Sequence, residues 1–183
     1  MAVCQSLVAL PLQCAADGVI GGASEVYAIA VKDLGTVTGS VLPYAISPTT
    51  GAITEIALKV ATVGFVKIGQ LKNTAGVSSE YTKNANGTSY STSTVTIQLT
   101  ELSVENQKFV DSVKGQPVAF MIKSRAGKFY GTGLEGGMEL ATQTSGTGIQ
   151  ESDLIGYALT FVGVSGNGER FIETSAALAA IKP

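Results

Sequence analysis

Hydrophobic and polar residues alternate with a period of two along most of this chain, the pattern of half-buried β-strands. Tyr27, Ile29 and Val31 alternate with Val26, Ala28 and Ala30 in a first strand. Ile56, Leu58 and Val60 then alternate with Glu55, Ala57 and Lys59, and Thr62 to Ile68 carries Val63 and Phe65. The clearest strand sets Val95, Ile97 and Leu99 against Thr94, Thr96, Gln98 and Thr100. One face there is apolar and the other is built to meet water. Val118, Phe120 and Ile122 form another strand, opened by Pro117, where a missing N–H is tolerated. Ser124-Arg125-Ala126-Gly127 reads as a turn, with Phe129 and Tyr130 returning as a hairpin. The last strong strand is Leu154 to Val164. It sets Ile155, Tyr157, Leu159 and Phe161 against a small-residue face of Gly156, Ala158 and Thr160.

One helix interrupts the strands. Ser103 caps it, Glu105 sits in its first turn, and Gly115 followed by Pro117 ends it. Phe109, Val110 and Val113, with Asn106 one turn earlier, mark the face that lies on the sheets. Strands with a single helix predict a mainly β fold: an antiparallel β-sandwich or partial barrel with one flanking α-helix.

Two segments lack apolar rhythm. Residues 73–93 are rich in Gly, Ser, Thr, Asn and Tyr, and a loop of that length is expected to be disordered or functional. Thr142 to Ser152 is a second. Periodicity is lost again after Ser165, with a short Ala-rich helix expected between Ser175 and Ile181. The chain thus divides into an N-terminal arm (1–24), a sandwich domain (25–164) with 73–93 as a subunit-contact arm, and a C-terminal tail (165–183). Tyr81, Tyr90 and Phe171, large apolar residues in these arms, are the candidate subunit contacts.

Composition sharpens the picture. At 183 residues the chain suits one domain, able to bury a core without a disulfide or metal. Charged residues make up only 14%, well below the roughly 25% of ordinary soluble domains. Thr, Ser and 22 Gly fill the gap, as expected of surfaces covered by copies of the same chain. A net charge of −2 gives no footprint for gripping nucleic acid. Nor does a membrane anchor stand out: Leu34 to Thr54 is uncharged, but its Gly, Pro, Ser and Thr do not suit a membrane helix.

Chemistry is sparse. Histidine is absent, which removes the commonest general base and the commonest transition-metal ligand together. Cys4 and Cys14 are too few to close a zinc site; they form a small-loop disulfide in an oxidising setting or remain buried thiols. Gly131-Thr132-Gly133-Leu134-Glu135-Gly136 has the glycine spacing of a dinucleotide-binding turn, but no helix of sufficient length follows. A sharp bend or bulge between strands is the better reading. Glu135, Glu139, Glu151 and Asp153 offer carboxylates for glycoside hydrolysis, yet without Trp the chain lacks the usual aromatic platforms. Asn86-Gly87-Thr88 matches a glycosylation sequon and reads as a turn at the tip of the long loop. No catalytic, cofactor-binding or metal-binding residues are therefore expected, and the chain reads as non-enzymatic.

From Thr94 onward the layout resembles the tail tube proteins of bacteriophages and the inner tubes of contractile injection systems. The likeness rests on the strand Val95 to Leu99, the helix Val104 to Lys114 and the Gly-turn hairpin Val118 to Gly131. It ends in the strand Gly156-Tyr157-Ala158-Leu159-Thr160-Phe161-Val162-Gly163, preceded by Asp153. The resemblance implies two packed antiparallel sheets with a flanking helix. Six copies would close a ring whose inner strands form one barrel, and rings would stack through the long loop and the termini. It further implies a virion tail location after synthesis in the host cytoplasm. The implied partners are the chain itself, other tail proteins, and genomic DNA passing through an uncharged or acidic lumen. The rival expectation is a β-sandwich binding module, an adhesin or a capsid decoration protein.

Overall fold

A computed structural model describes residues 22–69, 74–147 and 155–182. Cys4, Cys14, Glu151 and Asp153, and most of the expected N-terminal arm, lie outside those residues. The described chain runs β1 (Ala23–Ala30), a 3-10 turn (Val31–Asp33), β2 (Tyr44–Ile46), β3 (Ile53–Ile56), β4 (Val66–Ile68), β5 (Ala75–Lys83) and β6 (Ser89–Leu99). Then come α1 (Val104–Val113), β7 (Val118–Ser124), β8 (Phe129–Thr132), β9 (Glu139–Gly146), β10 (Gly156–Ser165), β11 (Arg170–Ile172) and α2 (Thr174–Ala180).

Two sheets result. One has seven strands in the order β2-β3-β11-β8-β7-β1-β4; the other has four, β5-β6-β10-β9. The fold is mainly β, a sandwich with flanking helices, and neither sheet closes into a barrel. Pairing between these strands is antiparallel except for one parallel contact, Ile172 of β11 with Ile53 of β3; an isolated parallel bridge also joins Phe65 to Ile181.

The sandwich holds two cores, one on each side of the seven-stranded sheet. Val118, Phe120 and Ile122 of β7 face the four-stranded sheet, where they meet Val95, Ile97, Leu159 and Phe161. Ala119 and Met121, on the reverse of the same strand, belong to a second core with Phe65, Leu134 and Ala177. All five residues from Val118 to Ile122 are therefore buried. Strands covered on both faces read as apolar runs rather than alternations, and this one does.

Helix α1 forms as expected. Ser103 Oγ accepts from the Asn106 N–H at 3.2 Å, satisfying one of the helix's unpaired donors. Val110 and Val113 are buried against the first core, and Gly115 takes φ +74° just past the end.

Several expectations are corrected. Within the expected loop 73–93, the described residues 74–93 are not unpaired: they form most of the β5–β6 hairpin, turned at residues 84–88. Toward the tip its inward side carries Ser79, Ser91 and Ser93 instead of aliphatics, and Ser93 Oγ donates to Ser79 Oγ at 3.4 Å. Thr142 likewise belongs to a strand, β9, which extends to Gly146. The strand expected at 55–60 lies at Ile53–Ile56; Leu58 keeps only an isolated bridge to Leu34, and Val60 is exposed. Of the expected tail 165–183, the described residues 165–182 are not loose. β11 inserts between β3 and β8, and α2 buries Ala176, Ala177 and Ala180. The Ala-rich helix was expected, so the fold has two helices where one was central to the pattern.

Candidate assembly surface

The edges of the two sheets differ in kind. An edge strand exposes unpaired N–H and C=O groups, and proteins that must stay monomeric shorten, charge or kink such edges. The seven-stranded sheet ends on β2 and β4, three residues each. β2 follows Pro43, and β4 carries Lys67 at its centre. The four-stranded sheet ends on β5, nine residues, and β9, eight residues. Neither long edge contains proline; β5 carries Glu80 and Lys83, β9 only Glu139. One bulge, at the Thr160/Phe161 step, disturbs β9. Six of the eight β9 residues are exposed.

Every neighbouring pair in this sheet is antiparallel, so β5 and β9 run in opposite directions. A β9 edge from one copy can therefore pair antiparallel with the β5 edge of the next and continue the same alternation.

Alternation also defines the sheet's outer face. In its centre Thr96 stands opposite Thr160, Thr94 opposite Val162, and Gln98 opposite Ala158. Ser78 and Thr82 flank these on β5, Thr142 and Thr144 on β9. Glu80 and Glu139 are the only charged residues on this face, one on each edge strand. Among the described strand residues the surface is hydroxyl-rich and carries no cation.

The three residues singled out by size fall in two places. Tyr81 is 64% exposed on the inward side of the hairpin near its tip. Tyr90 is on the opposite face, paired with Thr82. Phe171 is on β11 of the other sheet, half-exposed, with its ring 4.5 Å from that of Tyr130. The structure brings the two tyrosines onto one hairpin and leaves Phe171 apart. The continuous β5 and β9 edges are what the sequence reading missed. Only the absence of proline and the scarcity of charge in those stretches pointed to them.

Two polar constellations hold the frame. Glu25 Oε1 accepts from Lys67 Nζ at 2.6 Å, and its Oε2 accepts from Lys123 Nζ at 3.1 Å and from the Tyr27 hydroxyl at 2.9 Å. Lys67 and then Lys123 hold the Glu25 carboxyl down at about 2, against the opposing effect of burial. Burial, and then the Glu25 charge, push the Tyr27 hydroxyl up to about 12. The second constellation joins β2, the β8–β9 turn and the β10–β11 turn. Glu135 Oε1 accepts from both the Tyr44 hydroxyl and Asn167 Nδ2, while Arg170 donates to Asn167 Oδ1 at 2.8 Å. Burial alone would raise the Glu135 carboxyl, but the donors from Asn167 and Tyr44 outweigh it and hold it below its ordinary value. Burial lifts the Tyr44 hydroxyl to about 12.

Glu135 is thus a clamped structural carboxylate, and Glu139 projects from the outer face of β9. The glycine turn that carries Glu135 is a tight bend between β8 and β9, with Gly133 at φ +73° and Gly137 at φ +81°. A Cβ on Gly137 would sit 2.4 Å from Pro117 Cβ, so the close approach of that turn needs glycine.

An open cleft of about 370 Å3 lies between β4 and α1, lined by Ala28, Val66, Ile68, Phe109 and Val113. Among the described residues no three metal-type ligands gather, and no helix is long and apolar enough to cross a membrane. No family model matches the chain, and no curated protein sequence or solved structure matches it either.

Proposed function

We propose that this chain is a structural subunit of a bacteriophage tail, closing rings by pairing β9 of each copy with β5 of the next and stacking those rings into the tail tube. The observation that carries this reading is the pair of long, proline-free, oppositely directed edges on one four-stranded sheet. In such a ring the hydroxyl face lines the lumen. A wall whose described strand residues offer Thr, Ser and carboxylates but no cation gives phosphates nothing to hold, so DNA passes without specific binding. Ring order of six, the other tail proteins as partners, and the virion tail as location follow from the resemblance in layout.

The rival reading, an adhesin or capsid decoration module, has the β4–α1 cleft behind it. That cleft is largely aliphatic, with Phe109 its one aromatic residue, which suits a glycan poorly. Negative-stain imaging of the purified protein decides between them. Rings or tubes are expected. A stable monomer at high concentration, with no rings in any buffer, would end the tube proposal.

A further inference from the structure

The chain carries two Asn-Gly steps, Asn86-Gly87 and Asn167-Gly168, and the fold places them in opposite chemical circumstances. An asparagine followed by glycine can cyclise. The glycine amide nitrogen gives up its proton to water and attacks Cγ. The bond from Cγ to Nδ2 breaks, and ammonia leaves with that nitrogen. Water then opens the succinimide at one of its two carbonyls, giving an aspartyl or an isoaspartyl residue. One water is consumed and one ammonia released, with no oxidant, reductant or enzyme.

At the β5–β6 tip every residue from Asn84 to Thr88 is exposed. Gly87 takes φ +88°, and a Cβ there would meet nothing within 4 Å, so no neighbouring segment crowds this glycine. The Asn86 side chain is folded forward over the following peptide. Its Oδ1 accepts from the Thr88 N–H at 3.1 Å and from the Thr88 hydroxyl at 2.7 Å. That hydroxyl in turn accepts from Asn84 Nδ2 at 3.1 Å. Oδ1 is the oxygen that gathers negative charge as Cγ becomes tetrahedral. Two donors already aimed at it polarise the carbonyl and stabilise that charge, the arrangement of a small oxyanion hole. One bond resists: the Gly87 N–H donates to Asn84 O at 3.0 Å and must open first. A hairpin tip is among the segments of a fold that open most readily.

Asn167 has neither freedom. Its Nδ2, the leaving group, donates to Glu135, and its Oδ1 accepts from Arg170 at 2.8 Å, so the amide is held at both ends. The Gly168 N–H is fixed on Ser165 Oγ at 2.8 Å. A Cβ on Gly168 would sit 3.1 Å from Ser91, so this glycine is packed against β6.

We propose that Asn86 is a built-in modification site, converting spontaneously to aspartyl and isoaspartyl forms at a step promoted by Thr88, while Asn167 in the same molecule is protected. The inference stands whether or not the chain forms rings. If rings form, each conversion adds a negative charge to the tip of the hairpin that carries the β5 edge.

The test is peptide mass spectrometry of the full chain aged in mildly alkaline buffer, scoring the amide-to-acid mass gain and the isoaspartyl linkage at each position. Asn86 is expected to convert at least about tenfold faster than Asn167, a barrier difference near 1.4 kcal/mol. In denaturant the two rates should converge, because the advantage belongs to the fold. Thr88→Ala and Thr88→Val should each slow Asn86 by about threefold or more, less than an enzyme's loss of an oxyanion donor because the tip is open to water. Equal rates at Asn86 and Asn167 in the folded chain would overturn the proposal. Unchanged or faster conversion in both Thr88 variants would remove the promoting role given to Thr88.

Discussion

Phe120 of β7 and Phe161 of β10 meet across the sandwich with ring centroids 4.7 Å apart and planes tilted by 60°. Both are fully buried, and this tilted pair joins the seven-stranded sheet to the four-stranded one. Phe161→Ala should cost about 3–5 kcal/mol in chemical denaturation, because the hole has rigid walls on both sides. Phe171→Ala removes a ring that is already half in water, and should cost about 1 kcal/mol. A similar loss in both variants would contradict the placement of the core.

The Glu25 bridge gives a pH signature. Its folded carboxyl titrates at about 2, below the ordinary value of 4.5, so its contribution is fully present above the ordinary value and is lost as pH falls toward 2. The partner lysines are 56% and 36% exposed, so solvent screening limits the contribution to about 1 kcal/mol. Glu25→Gln should lower the melting temperature at neutral pH, and the gap from the parent should close between about pH 4 and pH 2. A gap that persists at the acid end would point to packing instead of charge.

Tyr44→Phe removes one of the two side-chain donors on Glu135 and leaves the ring in place. A loss of about 1–2 kcal/mol is expected, since the carboxylate stays partly buried with fewer partners. The Glu135 carboxyl should also titrate higher, which carbon-detected NMR would show. An unmoved titration would mean that Asn167, the Gly166 N–H and the Arg170 charge set it without Tyr44.

Gly156 starts β10 at φ +143°, and a Cβ there would lie 1.8 Å from the Leu99 carbonyl oxygen. Backbone cannot yield as a flexible side chain can. Gly156→Ala should destabilise by about 2 kcal/mol or more, read from the unfolding midpoint.

Edge pairing makes a prediction that separates assembly from folding. Thr144→Lys on β9 and Ser78→Lys on β5 replace exposed residues, so each should change monomer stability by no more than about 0.5 kcal/mol. Each places a cation on the edge that a second copy is proposed to use, and ring formation should be lost. Rings that survive both changes would place the contact elsewhere.

The sequence disclosed the fold where burial and polarity contrast. Val95 to Leu99 was legible because an aliphatic inner face opposes a threonine outer face. Helix α1 was legible through its Ser103 cap. The β5–β6 hairpin was not, because its inner face carries serine near the tip, where a Cβ on Gly168 would meet Ser91 at 3.1 Å. Serine beside serine has no hydrophobic period to read. The packing of α2 was hidden for a related reason: its buried face is alanine, small enough to lie close and too small to announce burial. The candidate assembly surface was the least legible feature. An open edge is a property of backbone pairing, which no single side chain encodes.

The insertion of β11 between β3 and β8 has a consequence for how the molecule is made. Until β11 emerges from the ribosome, no strand pairs β3 to β8, and the second core lacks Ile172 and the face of α2. Every pairing that does not involve β11 is available earlier, from the β2–β3, β5–β6 and β7–β8 hairpins to β1 with β7 and β6 with β10. Completion of the seven-stranded sheet is thus timed to the arrival of a three-residue strand that follows all the others in the described chain.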